Sequence, residues 1–299
     1  MPEKIHHLSD TSEAYPPLLR EIAQPPTDLY VRGNLELLQH HQLLAVVGSR
    51  AATYYGKQVI AKLLPPIVQA GVPLVSGLAY GIDSLAHQIC TANQQPTIAV
   101  LGSGIDDESI YPRRHISLAH EIIATGGTLV AEYPPGTPAD KFRFPERNRL
   151  IAGLTQATLV VQATRRSGSL ITARLALEAN RDVCAVPGKI TDKMSVGTND
   201  LIRQGAIPIL KPADLLAVFD LELPTTSAPK LSVANLTKHQ YMVYLTLGDR
   251  PLHIDLITAK TKLTAPDIAA ALAELELLAA VENVGGMRYV KGTTHAPTV

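Results

Sequence analysis

The sequence has no tryptophan, only three phenylalanines and only two cysteines among its 299 residues. Cys90 and Cys184 stand far apart and outside any C-x-x-C pattern, which excludes a disulfide framework and a cysteine-based zinc site. No apolar run approaches the ~20 residues that cross a bilayer. The opening residues, MPEKIHHLSD, lack the apolar core of a signal peptide, so the expected location is the cytoplasm. Net charge is missing as well. With 27 basic and 27 acidic residues, no whole-protein attraction to a polyanion operates.

Several motifs are also absent. The first strand-like run leads into G-S-R-A-A-T rather than G-x-G-x-x-G, and no G-x-x-x-x-G-K-[ST] occurs. There is no G-x-S-x-G elbow, no H-E-x-x-H and no aspartate cluster suited to magnesium. A nicotinamide, flavin, ATP or metal cofactor is therefore not expected, and catalysis has little support.

What is present is strand–helix repetition. LLAVVGS (43–49), PLVSG (73–77), TIAVLGSG (97–104), GTLVAEY (127–133), ATLVVQAT (157–164), DVCAVPG (182–188) and IPIL (207–210) are continuous apolar runs. Such runs suit parallel strands covered on both faces. Segments of helical length lie between them, including 54–70, 82–94 and 168–181. The pattern predicts an α/β fold, a Rossmann-like doubly wound and mostly parallel sheet over residues 41–221. Residues 1–40, with two Pro-Pro pairs and little periodicity, read as a lead-in segment packed on that core. ELPTTSAPKLSVA within 222–235 reads as a linker. Residues 236–292 then hold three helical stretches, near 238–247, 252–259 and 265–279, and a hairpin turning at Gly285-Gly286, which is a winged-helix plan. Residues 293–299 form a tail.

Charge is distributed unevenly. Residues 140–211 carry 12 Lys/Arg against 6 Asp/Glu, whereas residues 71–139 carry 2 against 6. The stretch DKFRFPERNRL (140–150) concentrates Lys141, Arg143, Arg147 and Arg149 around Phe142 and Phe144. Basic groups bind phosphate and flat rings stack on bases, so the stretch suits a nucleic-acid groove. A solvated charged loop with one aromatic anchor fits the same residues.

Ligands of open α/β sheets bind beyond the carboxyl ends of the strands. Small residues gather there in four loops: Gly48-Ser49-Arg50, Ser76-Gly77 with Gly81, Gly102-Ser103-Gly104, and Ser167-Gly168-Ser169. Glycines let backbone approach an anion, and the Arg50 guanidinium can grip phosphate with two bonds. Each loop alone could be only a tight turn; four with an arginine favour an anion site. In YGIDSLAH, Asp83 and His87 stand one helical turn apart. They suit either an acid–base pair or a helix-start carboxylate with a histidine packed beneath the site.

Together VVGSRAATYYG (46–56), SGLAYGIDSLAH (76–87), FPERNRLIAGL (144–154), SGSLITARLALEANRDVCAVPG (167–188) and GTNDLIRQGA (197–206) resemble the DNA-processing protein A family, DprA/Smf. The likeness runs in order over roughly residues 15–220. It implies an extended Rossmann sheet that binds single-stranded DNA, helps load RecA onto incoming strands in natural transformation, works as a dimer and is not an enzyme. Gly48, Ser49 and Arg50 fall on the family's phosphate-binding loop. Lys141 and Phe144 fall on its basic and base-contacting positions, and Arg147-Asn148-Arg149 on its RNR motif. An implied dimer contact would draw on Leu201, Ile202, Ile207 and Ile209, a set that also suits burial in the chain's own core. Two departures stand out. Gln162 occupies a position where the family often carries Glu, and many members begin with a longer helical domain of which this chain has at most the trailing segment. Arg149 also suits a structural role, paired with a carboxylate such as Glu132.

Two rival functions are open. A nucleotide-processing hydrolase of the lysine-decarboxylase-like Rossmann type shares the glycine loops but requires P-G-G-x-G-T-x-x-E, which is absent. A transcription regulator would use the winged helix. Its recognition segment, APDIAAALAELELLA (265–279), holds no Lys or Arg and carries Asp267, Glu274 and Glu276, so a protein-contact or regulatory role suits it better.

Overall fold

The computed structural model describes residues 4–222, 236–248, 250–278 and 280–292. The chain divides into two compact units after residue 224. In the first, nine strands form one sheet: β1 (Ile5–Ser9), β2 (Asp28–Gly33), β3 (Leu44–Val47), β4 (Leu74–Ser76), β5 (Thr97–Leu101), β6 (Thr128–Ala131), β7 (Ala157–Val160), β8 (Asp182–Ala185) and β9 (Ile207–Pro208). Their order is β1-β2-β6-β5-β4-β3-β7-β8-β9. All pairings from β6 to β9 are parallel, while β1–β2 and β2–β6 are antiparallel. The expected doubly wound, mostly parallel sheet is therefore present.

The continuous apolar runs have a simple cause. Successive side chains of a strand point to opposite faces, and helices cover both faces here. Ala45 and Val47 of β3 join one core layer with Leu150 and Ile151 of α5 (Arg143–Gly153) and Ala173 and Ala176 of α6 (Gly168–Glu178). Leu44 and Val46 join the opposite layer with Ile60, Leu63, Leu64 and Ile67 of α2 (Tyr54–Gln69) and Ile82 and Ala86 of α3 (Ile82–Ala92). A third cluster packs α4 (Ile116–Ala124) on β5 and β6 through Leu118, Ala119 and Ile122.

The sequence reading places no strand before residue 43, yet the lead-in holds β1 and β2, which extend the sheet beyond β6. These strands contain His6, His7, Asp28 and Arg32 and are mostly half-exposed, so they lack the apolar continuity of the inner strands. The short helix α1 (Pro17–Arg20) starts at the second proline of the first Pro-Pro pair and buries Leu19. A second difference concerns 140–150. The sequence suggests a helix beginning near Arg149, whereas α5 begins at Arg143, so Arg147 and Arg149 project from mid-helix.

The sheet order reverses between β3 and β7. From β3 the chain steps outward through β4, β5 and β6; it then returns to place β7 on the other side of β3 and continues to β8 and β9. Helices α7 (Val196–Arg203) and α8 (Pro212–Ala217) complete this unit. A crevice opens at such a reversal, where neighbouring loops diverge to opposite faces.

The second unit is the expected winged helix. Helices α9 (Lys238–Thr246), α10 (Ile254–Thr261) and α11 (Ala265–Leu277) accompany a sheet ordered β10 (Leu252–His253), β12 (Arg288–Lys291), β11 (Val281–Asn283). Val243, Tyr244, Ile257, Ile268, Leu272 and Val281 form its core. The expected linker 222–235, apart from Glu222, and the tail 293–299 lie outside the described residues.

The lead-in is integral to the first unit. Tyr15 is fully buried, and its hydroxyl donates to the Pro26 carbonyl at 2.7 Å. Tyr15→Phe should cost about 1 kcal/mol by stranding that carbonyl. Tyr15→Ala should cost about 3–5 kcal/mol by opening a cavity. Urea unfolding of the two variants against wild type measures both.

Candidate nucleic-acid interface

A cleft of about 560 Å³ lies at the sheet reversal. One wall is the loop after β3, Gly48, Ser49 and Arg50; the other is the start of α6, Ser167, Gly168 and Ser169. Lys141, Phe144, Arg147 and Asn148 close it from the α5 side. Ten of the fourteen expected site residues thus meet in one place.

The walls are held by local bonds. Ser49 N–H donates to the Gln162 carbonyl at 2.9 Å, and the Ser49 hydroxyl accepts from Ala51 N–H at 3.1 Å. That wall therefore offers an anion the Arg50 side chain rather than the Ser49 amide. Buried Gln162 secures the entry to α2: its Nε2 donates to the Thr53 hydroxyl at 2.8 Å and its Oε1 accepts from Thr53 N–H at 3.1 Å. A glutamate at this position could not supply the donor. On the opposite wall Ser167 caps α6, accepting from Ser169 N–H at 3.4 Å, and Asn148 donates to the Gly168 carbonyl at 3.5 Å.

Four expected residues do not line the cleft. Ser76 is buried, and its hydroxyl donates to the Val46 carbonyl at 2.6 Å. Gly77 borders a small side recess with Tyr80 and Pro112. Gly81 starts α3 with φ +80°, and a Cβ there would lie 2.3 Å from the Ser49 carbonyl, so glycine lets α3 back directly onto the Arg50 loop. Arg149 points away and bonds Glu132 at 2.6 Å, the structural alternative anticipated for it. Of the third glycine loop, Gly102 packs behind the Phe144 ring.

Arg147 reaches the cleft floor with one guanidinium nitrogen already committed to protein. It is 5% exposed; its Nη1 donates to the Gly77 carbonyl at 2.8 Å and also to the Val100 carbonyl. Burial pulls its pKa down to about 10, opposed by the nearby Asp83 carboxylate. Asp83 accepts from Gly77 N–H at 3.1 Å, and burial pushes its pKa up while Arg147 pulls it down. His87 is fully buried with its Nδ1 2.9 Å from the Thr97 hydroxyl. Burial first, and the neighbouring His115 next, lower its pKa to about 3. Asp83 and His87 thus fit the structural reading better than an acid–base pair.

The free charges are Arg50 and Lys141. Both are exposed, and neither forms an ion pair among the described residues. With Arg147, three cations line the cleft against the single carboxylate of Asp83. The Arg50 guanidinium lies over the Phe144 ring, 5.4 Å from its centre. Tyr111, 47% exposed, packs on the same ring with centres 5.7 Å apart. Sequence reasoning missed Tyr111, although Tyr-Pro beside Arg113-Arg114 in the loop after β5 repeats the aromatic–basic mixture of 140–150.

Comparison with known proteins matches this arrangement to one family. Residues 6–220 match the profile described as DNA recombination-mediator protein A, and residues 227–287 match the DprA winged helix domain. The chain belongs to the DNA recombination-mediator protein A family. It is 38% identical to Protein Smf of Escherichia coli over 94% of this chain and 76% of that protein. It is 41% identical to the DNA processing protein DprA of Streptococcus pneumoniae over 73% of this chain and 76% of that one. The X-ray structure of the pneumococcal protein superposes with a TM-score of 0.67, covering 75% of this chain and 76% of that chain at 39% identity. A DNA processing protein A from Helicobacter pylori, whose structure is described as showing a unique single-stranded DNA binding mode, superposes with a TM-score of 0.64 and 29% identity. That match covers 74% of this chain and 98% of the other.

Within this member of the family, Arg147 should behave unlike the exposed cations. Arg147→Met removes both carbonyl contacts and leaves the buried Asp83 without its counter-charge. The expected cost is about 3–5 kcal/mol of stability, read as a lowered urea midpoint, whereas Arg50→Ala should leave the midpoint near wild type.

Proposed function

We propose that this protein binds single-stranded DNA in the cleft between β3 and β7 and, as a mediator in the cytoplasm, helps load RecA onto it during natural transformation and homologous recombination. The observation that carries the proposal is that two unpaired cations, Arg50 and Lys141, line one cleft with the Phe144–Tyr111 ring pair at the sheet reversal, Arg50 directly over Phe144. Phosphate contacts and base stacking of this kind are tolerant of sequence. A base can reach the Phe144 face once the exposed Arg50 side chain swings off it, and a duplex keeps its bases stacked internally. The family's mediator description and the single-stranded DNA binding mode of the Helicobacter pylori protein support the same reading.

Binding rather than turnover is the proposed activity. The hydrolase alternative would need an accessible acid–base pair, and His87 is sealed in the core. Helix α11 of the winged helix offers little to phosphate: Asp267 accepts from the Thr264 hydroxyl at its start, and Glu274 accepts from Gln240.

Arg50→Ala and Lys141→Ala each delete one charge-assisted contact worth roughly 1.5–3 kcal/mol. Each should weaken binding on the order of ten- to a hundredfold, and the double variant should lose most single-strand binding while staying folded. Affinity should fall with salt as counterions are released. Deleting residues 230–299 should do much less. Fluorescence anisotropy with a labelled oligonucleotide tests all of this. Equal binding to a blunt duplex, or loss on truncation with both alanine variants intact, contradicts the proposal.

We further propose a homodimer through the β9 edge. Ile209 is buried in the chain's own core and drops out of the expected set. Leu201 and Ile202 are half-buried, while Ile207 is 36% and neighbouring Leu210 70% exposed. An apolar edge strand of this kind invites pairing with a second copy. Light scattering should give twice the monomer mass, and Leu210→Lys should halve it.

A further inference from the structure

Beyond the α6 wall of the cleft lies a second cationic surface that the residues discussed so far do not include. The loop after β7 carries Arg165 and Arg166 immediately before Ser167. The loop after β8 carries Lys189 and Lys193. All four are exposed, and none forms an ion pair or hydrogen bond through its side chain among the described residues. The two loops are tied together: Ala163 N–H donates to the Met194 carbonyl at 2.9 Å, and Gly197 N–H donates to the Ala163 carbonyl at 2.8 Å.

The second loop is built rather than loose. Asn199 clasps both backbone groups of Gly188, at 3.1 and 3.0 Å, and the Tyr55 hydroxyl donates to the Pro187 carbonyl at 2.6 Å. Asp192, the one carboxylate in the loop, accepts from Met194 N–H at 2.9 Å and turns its charge inward on the loop's own backbone. At the tip, between Lys189 and Asp192, stands Ile190. It is 92% exposed, more than any other large apolar side chain among the described residues. An isoleucine held in water on a hydrogen-bonded loop gains nothing for folding.

We propose that this surface is a second contact for the same strand, receiving the nucleotides that leave the cleft past Ser167 and Gly168. Resting on the single-strand reading above, it assigns phosphates to Arg165, Arg166, Lys189 and Lys193, and the apolar face of a base to Ile190. Four unpaired cations flanking one bare aliphatic group complement a polyanion that also exposes apolar faces, which an unpaired strand does and a duplex does not. Continuity with the cleft selects the strand over a protein partner, since Ser167 lies one residue from Arg166 and itself lines the cleft.

The test is anisotropy with labelled oligothymidylates of about 4 and about 20 nucleotides, bracketing the usual footprint of one binding module. Wild type should bind the longer strand more tightly. The Arg165→Ala/Arg166→Ala/Lys189→Ala/Lys193→Ala variant should bind the short strand as wild type does and lose most of the gain with length. Its log–log salt slope on the long strand should shrink by about 3, as four single-strand phosphate contacts predict at about 0.7 each. Ile190→Ser should weaken the long strand alone with the slope unchanged; no effect would overturn the base contact. If wild type and the quadruple variant gain equally with length, the second contact is wrong while the cleft stands. If wild type binds neither strand, both readings fall.

Discussion

The buried Arg147 guanidinium is the constraint around which the site is organised. It reaches from the middle of α5 to the carbonyls of Gly77 and Val100, at the carboxyl ends of β4 and β5. Strand ends leave carbonyls with no partner in the ladder, and a buried cation satisfies two of them at once. The arrangement demands a glycine at 77, since a Cβ there would lie 2.5 Å from the guanidinium. It also demands a counter-charge, which Asp83 provides from the start of α3 while accepting Gly77 N–H. One side chain thus fixes the spacing of α5, α3 and two strands, and the cleft is the space left above it.

The division of labour among the cations follows from this floor. Arg147 is desolvated and its Nη1 is committed to two protein carbonyls, so it adds a fixed positive potential from the cleft floor. Arg50 and Lys141 stay hydrated, each over an aromatic ring, Phe144 and Phe142 respectively. Such contacts are weak at exposed sites, so either group can exchange its ring for a phosphate at small cost. In the proposed binding mode the fixed charge draws an anion in and the mobile charges close on it.

Much of this is legible in the sequence because burial leaves a simple signature. The strands β3 to β8 are largely buried and apolar on both faces, and the glycine loops at their ends mark where the crevice falls. What escapes is information that depends on depth. Arg147 and Arg149 look equivalent in RNR, yet one is sealed under the cleft and the other tied to Glu132 on the far side. A helical period separates their directions by about 200°, which follows from 3.6 residues per turn once α5 is known to start at Arg143. No capping side chain marks that start, since Phe142 stands at the N-cap. β1 and β2 escape because two Pro-Pro pairs stand between them and they carry His6, His7, Asp28 and Arg32 among mostly half-exposed positions. Tyr111 escapes because its partner, Phe144, is 33 residues away and only the fold brings the rings together.

The zero net charge now has a physical reading. A uniformly basic protein attracts any nucleic acid and repels copies of itself, which would oppose a homodimer. Here the acidic residues are placed where they hold the structure together: Asp107 bridges Arg32 and His120, Glu132 holds Arg149, and Glu21 holds Arg181. Each neutralises a cation away from the cleft. Arg50 and Lys141, at the carboxyl ends of the strands, keep no ion-pair partner among the described residues, so the cleft holds a local positive field even though the total charge is zero. Screening limits the reach of such a field to about 8 Å at physiological salt. In the proposed binding mode a flexible chain can bring its phosphates within that reach and a stiff one cannot, so stiffness is a criterion of selection alongside charge.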